Sequence, residues 1–180
     1  EDPIIIEVYA KQFAWQARYA GADNTLGLGN VNFIDETNNP IGVDLSDPAS
    51  LDDKPVTELH LPKGKKVLFK FRSQDVLHSA YMPHFRAQMN CVPGMVTQFA
   101  FTPKYTTEEM REQSEVMDKT RGINKIRSDK GEDLYEFDYV LLCNKICGAS
   151  HYSMQMKIVV EEEDDYKQWL AEQPTFAEKL

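Results

Sequence analysis

Short runs of β-branched and aromatic residues, separated by turns rich in glycine and proline, most limit how this chain can fold. In the segment KKVLFKFRS, for example, Val67, Phe69 and Phe71 alternate with polar or less buried positions and share one face. Two similar runs lie in PIIIEVYAKQFAWQARYA, and further ones are VTELHL, GMVTQFAFTP, LYEFDYVLL and MQMKIVVEEE. Many short strands with this punctuation predict an all-β sandwich or barrel.

Two long excursions interrupt the strands. Residues 20–55 are rich in Asn, Asp, Gly and Pro, which predicts a segment with little regular structure. Residues 104–137 form the second excursion, in which Thr106 and Glu109 have the spacing of a capping box. We therefore expect a short helix over residues 106–118, followed by a polar loop.

The C-terminal part of the chain predicts one more short helix, over residues 163–172. Tyr166, Trp169 and Leu170 have i, i+3, i+4 spacing and would form its apolar face. The length of 180 residues fits one domain, so we expect residues 1–180 to form a single unit.

The composition is acidic, with a formal net charge of −9. Such a surface repels nucleic acid and anionic lipid headgroups, because both are polyanions, and it favours a basic protein partner. No segment approaches the roughly 18 consecutive apolar residues of a membrane span. We therefore expect no nucleic-acid partner and no membrane contact by this segment itself, and the abrupt start favours a domain cut from a longer chain.

Soft electron-pair donors are concentrated between two apolar runs near the end of the chain. Cys143, Cys147 and His151 are spaced by four residues, and Met154 follows three residues later. Gly148 and the flanking strand patterns favour a loop over a helix. Thiolate, imidazole and thioether together favour copper, zinc or an iron–sulfur cluster, whereas calcium and magnesium prefer oxygen.

The ligand inventory leaves more than one metal open. Three cysteines cannot supply four thiolates to an iron–sulfur cluster, and a disulfide framework is disfavoured by their odd number. Zinc would use two cysteines and two histidines, and a single blue-copper ion would leave one cysteine unused. Two coppers bridged by sulfur would use two thiolates, two histidines and the methionine.

The second histidine of such a site must come from elsewhere in the chain. His78 follows a strong strand, where we expect a loop at the end of the barrel that meets the cysteines. His60 has the pattern of a half-buried core residue, and His84 that of a surface residue. The third cysteine, Cys91, is expected to be a small buried residue rather than a ligand.

Four segments resemble the CuA domain of cytochrome c oxidase subunit II, and they occur in the order of that family. CNKICGASHYSM is similar to its C-x-x-x-C-x-x-x-H-x-x-M loop, and DVLHS to its first histidine segment. VPGMVTQFAF resembles the strand that follows, and AKQFAWQARY the aromatic stretch that precedes them.

The resemblance implies a cupredoxin-like Greek-key β-barrel that holds two copper ions. By carry-over, Cys143 and Cys147 would bridge both ions, while His78 and His151 would each bind one. Met154 would be a weak axial ligand of one ion, and the backbone carbonyl of Lys145 would be the axial ligand of the other. Leu141, Leu142, Ile146 and Met82 would exclude water from the centre.

This sequence departs from the family pattern in three respects. Lys145 stands where the family usually has Glu, which puts in doubt a magnesium site against subunit I. Phe13 stands where the family usually has the Trp that receives the electron, so Phe13 or Trp15 would take that role. The two N-terminal membrane helices of the family are not in this sequence, and the full-length protein would be anchored by them.

The resemblance also implies a function. The domain would accept electrons from a c-type cytochrome or similar donor and pass them to haem in the membrane-embedded subunit I of an oxidase. It would be an electron carrier without its own substrate turnover, at the periplasmic face of a bacterial inner membrane. Asp75 is the candidate for partner docking. The alternatives are the CuA domain of nitrous-oxide reductase and a structural Cys2His2 zinc module without redox function.

Overall fold

The architecture of the protein is two facing β-sheets, seen in a computed structural model that describes residues 2–179. Ten strands are found among these residues: β1 (Ile4–Lys11), β2 (Ala14–Tyr19), β3 (Lys54–Val56), β4 (Leu59–Pro62), β5 (Val67–Ser73), β6 (His78–Met82), β7 (Ala87–Cys91), β8 (Thr97–Phe101), β9 (Tyr139–Cys143) and β10 (Gln155–Glu161). The first sheet has the strand order β3-β2-β1-β5-β8 and the second β4-β10-β9-β6-β7.

The chain crosses repeatedly between these two sheets, as expected for a Greek-key sandwich. β1 pairs with β5 and β4 with β10 in parallel, whereas the other neighbouring strands are antiparallel. Val67, Phe69 and Phe71 of β5 face the core with at most 1% of their surface exposed, and Lys70 and Arg72 face the other side. The predicted two-sheet architecture is confirmed.

The boundaries of several strands differ from those suggested by the sequence. VTELHL is divided between β3 and β4, and the regular strand in LYEFDYVLL begins only at Tyr139. Strands β6 and β7 were not predicted, because HSAYM and AQMNC contain no β-branched residue. Their pairing with each other and of β6 with β9 makes them strands.

The helices are α1 (Pro48–Leu51), α2 (Thr107–Arg111), α3 (Ser114–Lys130), α4 (Glu163–Glu172) and α5 (Phe176–Lys179). The predicted C-terminal helix over residues 163–172 is confirmed as α4. The prediction of one helix over residues 106–118 followed by a polar loop is wrong in its extent. Helix α2 begins at the predicted capping box, but a second helix continues to Lys130.

Helix α3 has no apolar stripe that the sequence could have revealed. None of its residues is buried, so its hydrophobic periodicity is weak. Polar contacts hold it against the returning chain: the amide of Asn124 donates to the carbonyl of Tyr135 and accepts from the Tyr135 N–H. The helix ends at Gly131, whose φ of 69° is the left-handed conformation that glycine adopts without strain.

The excursion of residues 20–55 is largely irregular, as predicted, and it covers the outer face of the first sheet. Ile6 and Val8 face the main core, so Glu7 and Tyr9 point to the opposite face. Tyr9 packs there against Ile41 and other residues in a second, smaller core. The excursion therefore buries a face of the sheet that would otherwise be exposed to water.

A buried ion network attaches this excursion to the sheet. Arg18 of β2 is 1% exposed; it donates to Glu7 Oε1 at 3.1 Å, to Asp53 Oδ2 at 2.7 Å and to the carbonyl of Gly27 at 2.7 Å. Asp53 also accepts from the N–H groups of Gly27 and Gly21. One guanidinium thus joins strands β1 and β2 to both ends of the excursion.

No helix among residues 2–179 is long and apolar enough to cross a bilayer.

We expect Arg18→Met to lower the free energy of unfolding by about 3–5 kcal/mol, because it leaves the carboxylates of Glu7 and Asp53 buried without their main partner. Urea denaturation measures the effect. Arg121→Met is the matched control, since Arg121 is 74% exposed and its ion pair among residues 2–179 is with the exposed Asp118; it should change stability by less than about 0.5 kcal/mol. Equal effects of the two substitutions would contradict the role given to the network.

Candidate metal centre

The predicted metal ligands meet at one end of the sandwich, where strands β6 and β9 lie side by side. Ala80 of β6 pairs with Cys143, the last residue of β9. His78 is the first residue of β6, so it stands next to Cys143 although 65 positions separate them in sequence. The expectation that His78 lies in a loop is wrong, but its expected approach to the cysteines is found.

The Cys–His loop, residues 144–154, connects β9 to β10 at this end of the sandwich. Its two ends are joined by a hydrogen bond from the Cys143 N–H to the Met154 carbonyl at 3.3 Å. The N–H of Asn144 donates to the carbonyl of Ser79 in β6 at 3.0 Å. His151 begins a single 3-10 turn, and the loop is not an α-helix, as predicted. The backbone therefore directs the ligand side chains inward.

Each cysteine sulfur has an imidazole nitrogen and one weaker ligand atom close to it. Cys143 Sγ lies 3.8 Å from His78 Nδ1 and 3.3 Å from the Lys145 carbonyl oxygen. Cys147 Sγ lies 3.7 Å from His151 Nδ1 and 3.6 Å from Met154 Sδ. The two sulfurs are 3.8 Å apart. All six ligand atoms predicted from the sequence are therefore brought together.

These distances fit residues that share a metal ion. Ligand atoms bound to a tetrahedral ion at bond lengths of 2.0–2.3 Å lie about 3.3–3.8 Å apart. Among residues 2–179, the ligand atoms of His78, Cys143 and Cys147 all lie within 4.8 Å of one another. Two thiols, two imidazoles and a thioether are a soft set that suits copper, and six atoms exceed what one four-coordinate ion uses.

Burial keeps the Cys147 thiol protonated at neutral pH in the absence of a metal. It raises the pKa of Cys147 to about 11, and the neighbouring Cys143 adds to the effect. Binding of a metal must therefore displace protons from the site. Burial also raises the pKa of Cys91 to about 12, and Cys91 is fully buried in β7, as predicted for a residue that is not a ligand.

Asp75 and Gln12 form a polar link behind the ligands. His78 Nε2 lies 2.8 Å from Asp75 Oδ1, which leaves Nδ1 directed at the sulfurs. The other carboxylate oxygen of Asp75 accepts from the Gln12 N–H at 2.7 Å. Burial raises the pKa of Asp75, but its hydrogen bonds from Gln12, His78 and Val76 outweigh this and lower it. Gln12 was not predicted, although it precedes Phe13 in the aromatic stretch.

The two aromatic candidates lie at different depths beside the ligands. The Phe13 ring is partly buried and covers Gly148 so closely that a Cβ at Gly148 would lie 2.7 Å from it. Trp15 is buried, and the centroid of its ring is 6.4 Å from that of His78. Phe13 is thus in contact with the Cys–His loop near the surface, while Trp15 packs below it in the core.

The apolar surroundings agree only partly with expectation. Met82 and Leu141 are fully buried and Leu142 is partly buried, but Ile146 is 88% exposed, so its expected role in excluding water is wrong. The reason is that it lies at the tip of the loop and points outward. His60 is buried against Trp169 and Glu161 rather than half-buried, and His84 is exposed, as predicted.

Relatives with known names match this chain over much of its length. The family model of the periplasmic domain of cytochrome c oxidase subunit II matches residues 4–121. An alternative cytochrome c oxidase subunit 2 of Bradyrhizobium diazoefficiens is 39% identical over 178 residues, which are 98% of this chain and 53% of that protein. A cytochrome c oxidase subunit 2 of Thermostichus vulcanus is 25% identical over 112 residues, 62% of this chain and 25% of that protein. The chain spans about half of the first relative and a quarter of the second.

Solved structures give the fold. The periplasmic domain of subunit II of cytochrome oxidase (CoxB) of Bradyrhizobium japonicum superimposes with a TM-score of 0.55 at 16% identity, covering 95% of this chain and 93% of that one. A second neighbour is a mixed disulfide intermediate between a thioredoxin-like protein and subunit II, with a TM-score of 0.53 at 18% identity, covering 95% of this chain and 90% of that one. Both confirm the predicted cupredoxin-like fold. Because the family model covers more than half of the chain, His78 included, the chain belongs to the family of the periplasmic domain of cytochrome c oxidase subunit II.

Proposed function

We propose that this domain holds two copper ions and relays single electrons within a haem–copper terminal oxidase. The observation that carries the proposal is the cluster of six ligand atoms, in which two cysteine sulfurs lie 3.8 Å apart and four other ligand atoms surround them. Two four-coordinate ions that share both sulfurs would use all six atoms. A Cys2His2 zinc ion would leave Met154 and the Lys145 carbonyl without a function.

The residues of this chain would hold such a centre in a fixed geometry. Cys143 and Cys147 would bridge the ions, His78 and His151 would each bind one, and Met154 and the Lys145 carbonyl would be the weaker ligands. When bound, a copper pair would supply a centre that changes charge by one electron while keeping one ligand set, since sulfur suits Cu(I) and imidazole suits both states. Leu141, which is fully buried two residues before Cys143 in β9, would exclude water on the inner side.

The electron would reach this centre from the outer surface near Phe13. The Phe13 ring lies directly against Gly148 of the Cys–His loop, whereas the Trp15 ring lies deeper, next to His78. We therefore place the accepting surface at Phe13 rather than at Trp15.

A docking surface for the electron donor surrounds this point. The apolar rim, defined as Val76, Leu77, Ile146 and Tyr152, belongs to the two segments that carry the ligands, and each of its side chains is 38–88% exposed. An acidic chain with such a rim suits a basic c-type cytochrome, because opposite net charge speeds the encounter and apolar contact stabilises the complex. Asp75 remains a candidate docking residue, although both of its oxygens already accept hydrogen bonds.

The remaining partners follow from the family. The whole protein would be anchored in the bacterial inner membrane beside subunit I, whose haem would receive the electrons. The thiols must be reduced before they bind copper, because the two sulfurs lie close enough to oxidise to each other. A thioredoxin-like protein forms a mixed disulfide with the subunit II domain of one structural neighbour, and we propose a reductant of the same kind here.

Metal analysis and electron paramagnetic resonance test the copper pair directly. We expect the reduced domain to bind two copper ions per chain, to become intensely coloured and to give hyperfine lines from two equivalent copper nuclei. Cys147→Ser should abolish that spectrum, since it removes a bridging sulfur. A colourless protein with one zinc ion per chain would instead support the structural zinc module.

Replacement of Met154 separates copper from zinc within the folded protein. Met154→Leu removes the thioether at nearly constant volume, and we expect a changed reduction potential, by about 60 mV for each tenfold change in relative affinity for the two oxidation states. Met156→Leu is the matched control, because Met156 is also buried but faces the core two residues later in β10. Identical potentials for the two variants would exclude Met154 as a ligand.

The apolar rim is tested by the rate of electron transfer from a reduced basic c-type cytochrome. Ile146→Ser removes an 88% exposed side chain from the rim, and we expect the second-order rate to fall several-fold, as for loss of an interface residue worth more than about 1 kcal/mol. Ile126→Ser on α3, where Ile126 is 59% exposed, should leave the rate unchanged. The rates are measured by stopped flow at several salt concentrations. Equal rates for the two variants would show that the cytochrome docks elsewhere.

A further inference from the structure

We propose that Gln12 is a positioning residue that ties the two ligand-bearing segments of the metal centre to each other. The inference rests on the proposed copper site and concerns how its geometry is maintained. Gln12 lies in the turn between β1 and β2, so it belongs to the first sheet, whereas the ligands belong to the second.

Gln12 makes one hydrogen bond toward each ligand segment. Its backbone N–H donates to Asp75 Oδ2 at 2.7 Å, and the other oxygen of Asp75 is 2.8 Å from His78 Nε2. Its side-chain amide donates to the backbone carbonyl of Cys147. A continuous chain of contacts therefore runs from the His78 imidazole through Asp75 and Gln12 to the backbone of Cys147.

The Cys–His loop has few other attachments on this side. Asn144, Lys145, Ile146, Gly148 and Ala149 are exposed, and only Cys147 among residues 144–149 is buried. Among residues 2–179, Gln12 is the one residue outside the segment 143–154 whose side chain forms a hydrogen bond with residues 144–150. The other side-chain contacts of Cys147 are with Cys143, His151 and Met154, which are themselves predicted ligands.

The contact next to Gln12 has the same effect. Gly148 has a φ of 151°, and the ring of Phe13 occupies the space in which a Cβ at Gly148 would lie. The turn between β1 and β2 therefore contacts the loop twice, through the Gln12 hydrogen bond to Cys147 and through the Phe13 ring against Gly148. Because outer hydrogen bonds orient metal ligands, loss of the amide should loosen Cys147 while Asp75 still holds His78.

The decisive variant is Gln12→Leu, which removes the amide but keeps the backbone N–H that donates to Asp75. Gln12→Asn keeps an amide that is one methylene too short to reach the Cys147 carbonyl. It therefore tests whether the hydrogen bond itself is needed or only a polar side chain at this position. Gln98→Leu is the control, since Gln98 is an exposed glutamine on the edge strand β8. All variants are compared with the parent chain in the copper-loaded and metal-free forms.

We expect both Gln12 variants to lose copper to a chelator roughly two- to tenfold faster than the parent, the range that one hydrogen bond supports. Their reduction potential and copper hyperfine splitting should also change, while the melting temperature of the metal-free form and all properties of Gln98→Leu stay the same. The inference is overturned if copper loss, potential and hyperfine splitting match the parent, or if the metal-free melting temperature alone falls. A parent chain that binds no copper pair would instead refute the proposed function.

Discussion

The antiparallel pairing of β6 with β9 is the constraint on which the candidate centre depends. It places His78, at the start of one strand, beside Cys143, at the end of the other. All other predicted ligand atoms come from the short loop that follows Cys143. This register therefore brings His78 to them and completes the cluster. A shift of one residue would turn His78 to the opposite face of the sheet.

The sequence was sufficient to predict this cluster, because the spacing of most of its members is local and their chemistry is distinctive. Cys143, Cys147, His151 and Met154 lie within twelve residues, and only His78 required knowledge of the fold. Strands such as β5 could be predicted, since their side chains alternate between core and surface. β6 could not, because HSAYM has no such alternation and is a strand only through its neighbours.

Contacts that join distant parts of the chain through polar groups were also beyond prediction. Helix α3 has no buried face and is held by the amide of Asn124, so no periodicity marked it. Gln12 acts through one backbone and one side-chain hydrogen bond to residues 63 and 135 positions away. The buried Arg18 in AWQARY resembled any polar residue of an exposed strand face. Its burial follows from the excursion that covers it, which the composition predicted only as irregular.

The strands and the Cys–His loop bring the predicted ligand atoms close together, which suits the proposed electron relay. Burial raises the pKa of Cys147 to about 11, so this thiol can be packed against the other predicted ligands without a buried charge. Strands β6 and β9, the bond between Cys143 and Met154 and the Gln12 amide hold them within 4 Å of their neighbours. Because these contacts of the barrel hold the predicted ligands, the ligands of the proposed centre would need to move little when an electron arrives or leaves. Small movement is the condition for fast electron transfer, since each rearrangement of ligands or solvent adds to the barrier.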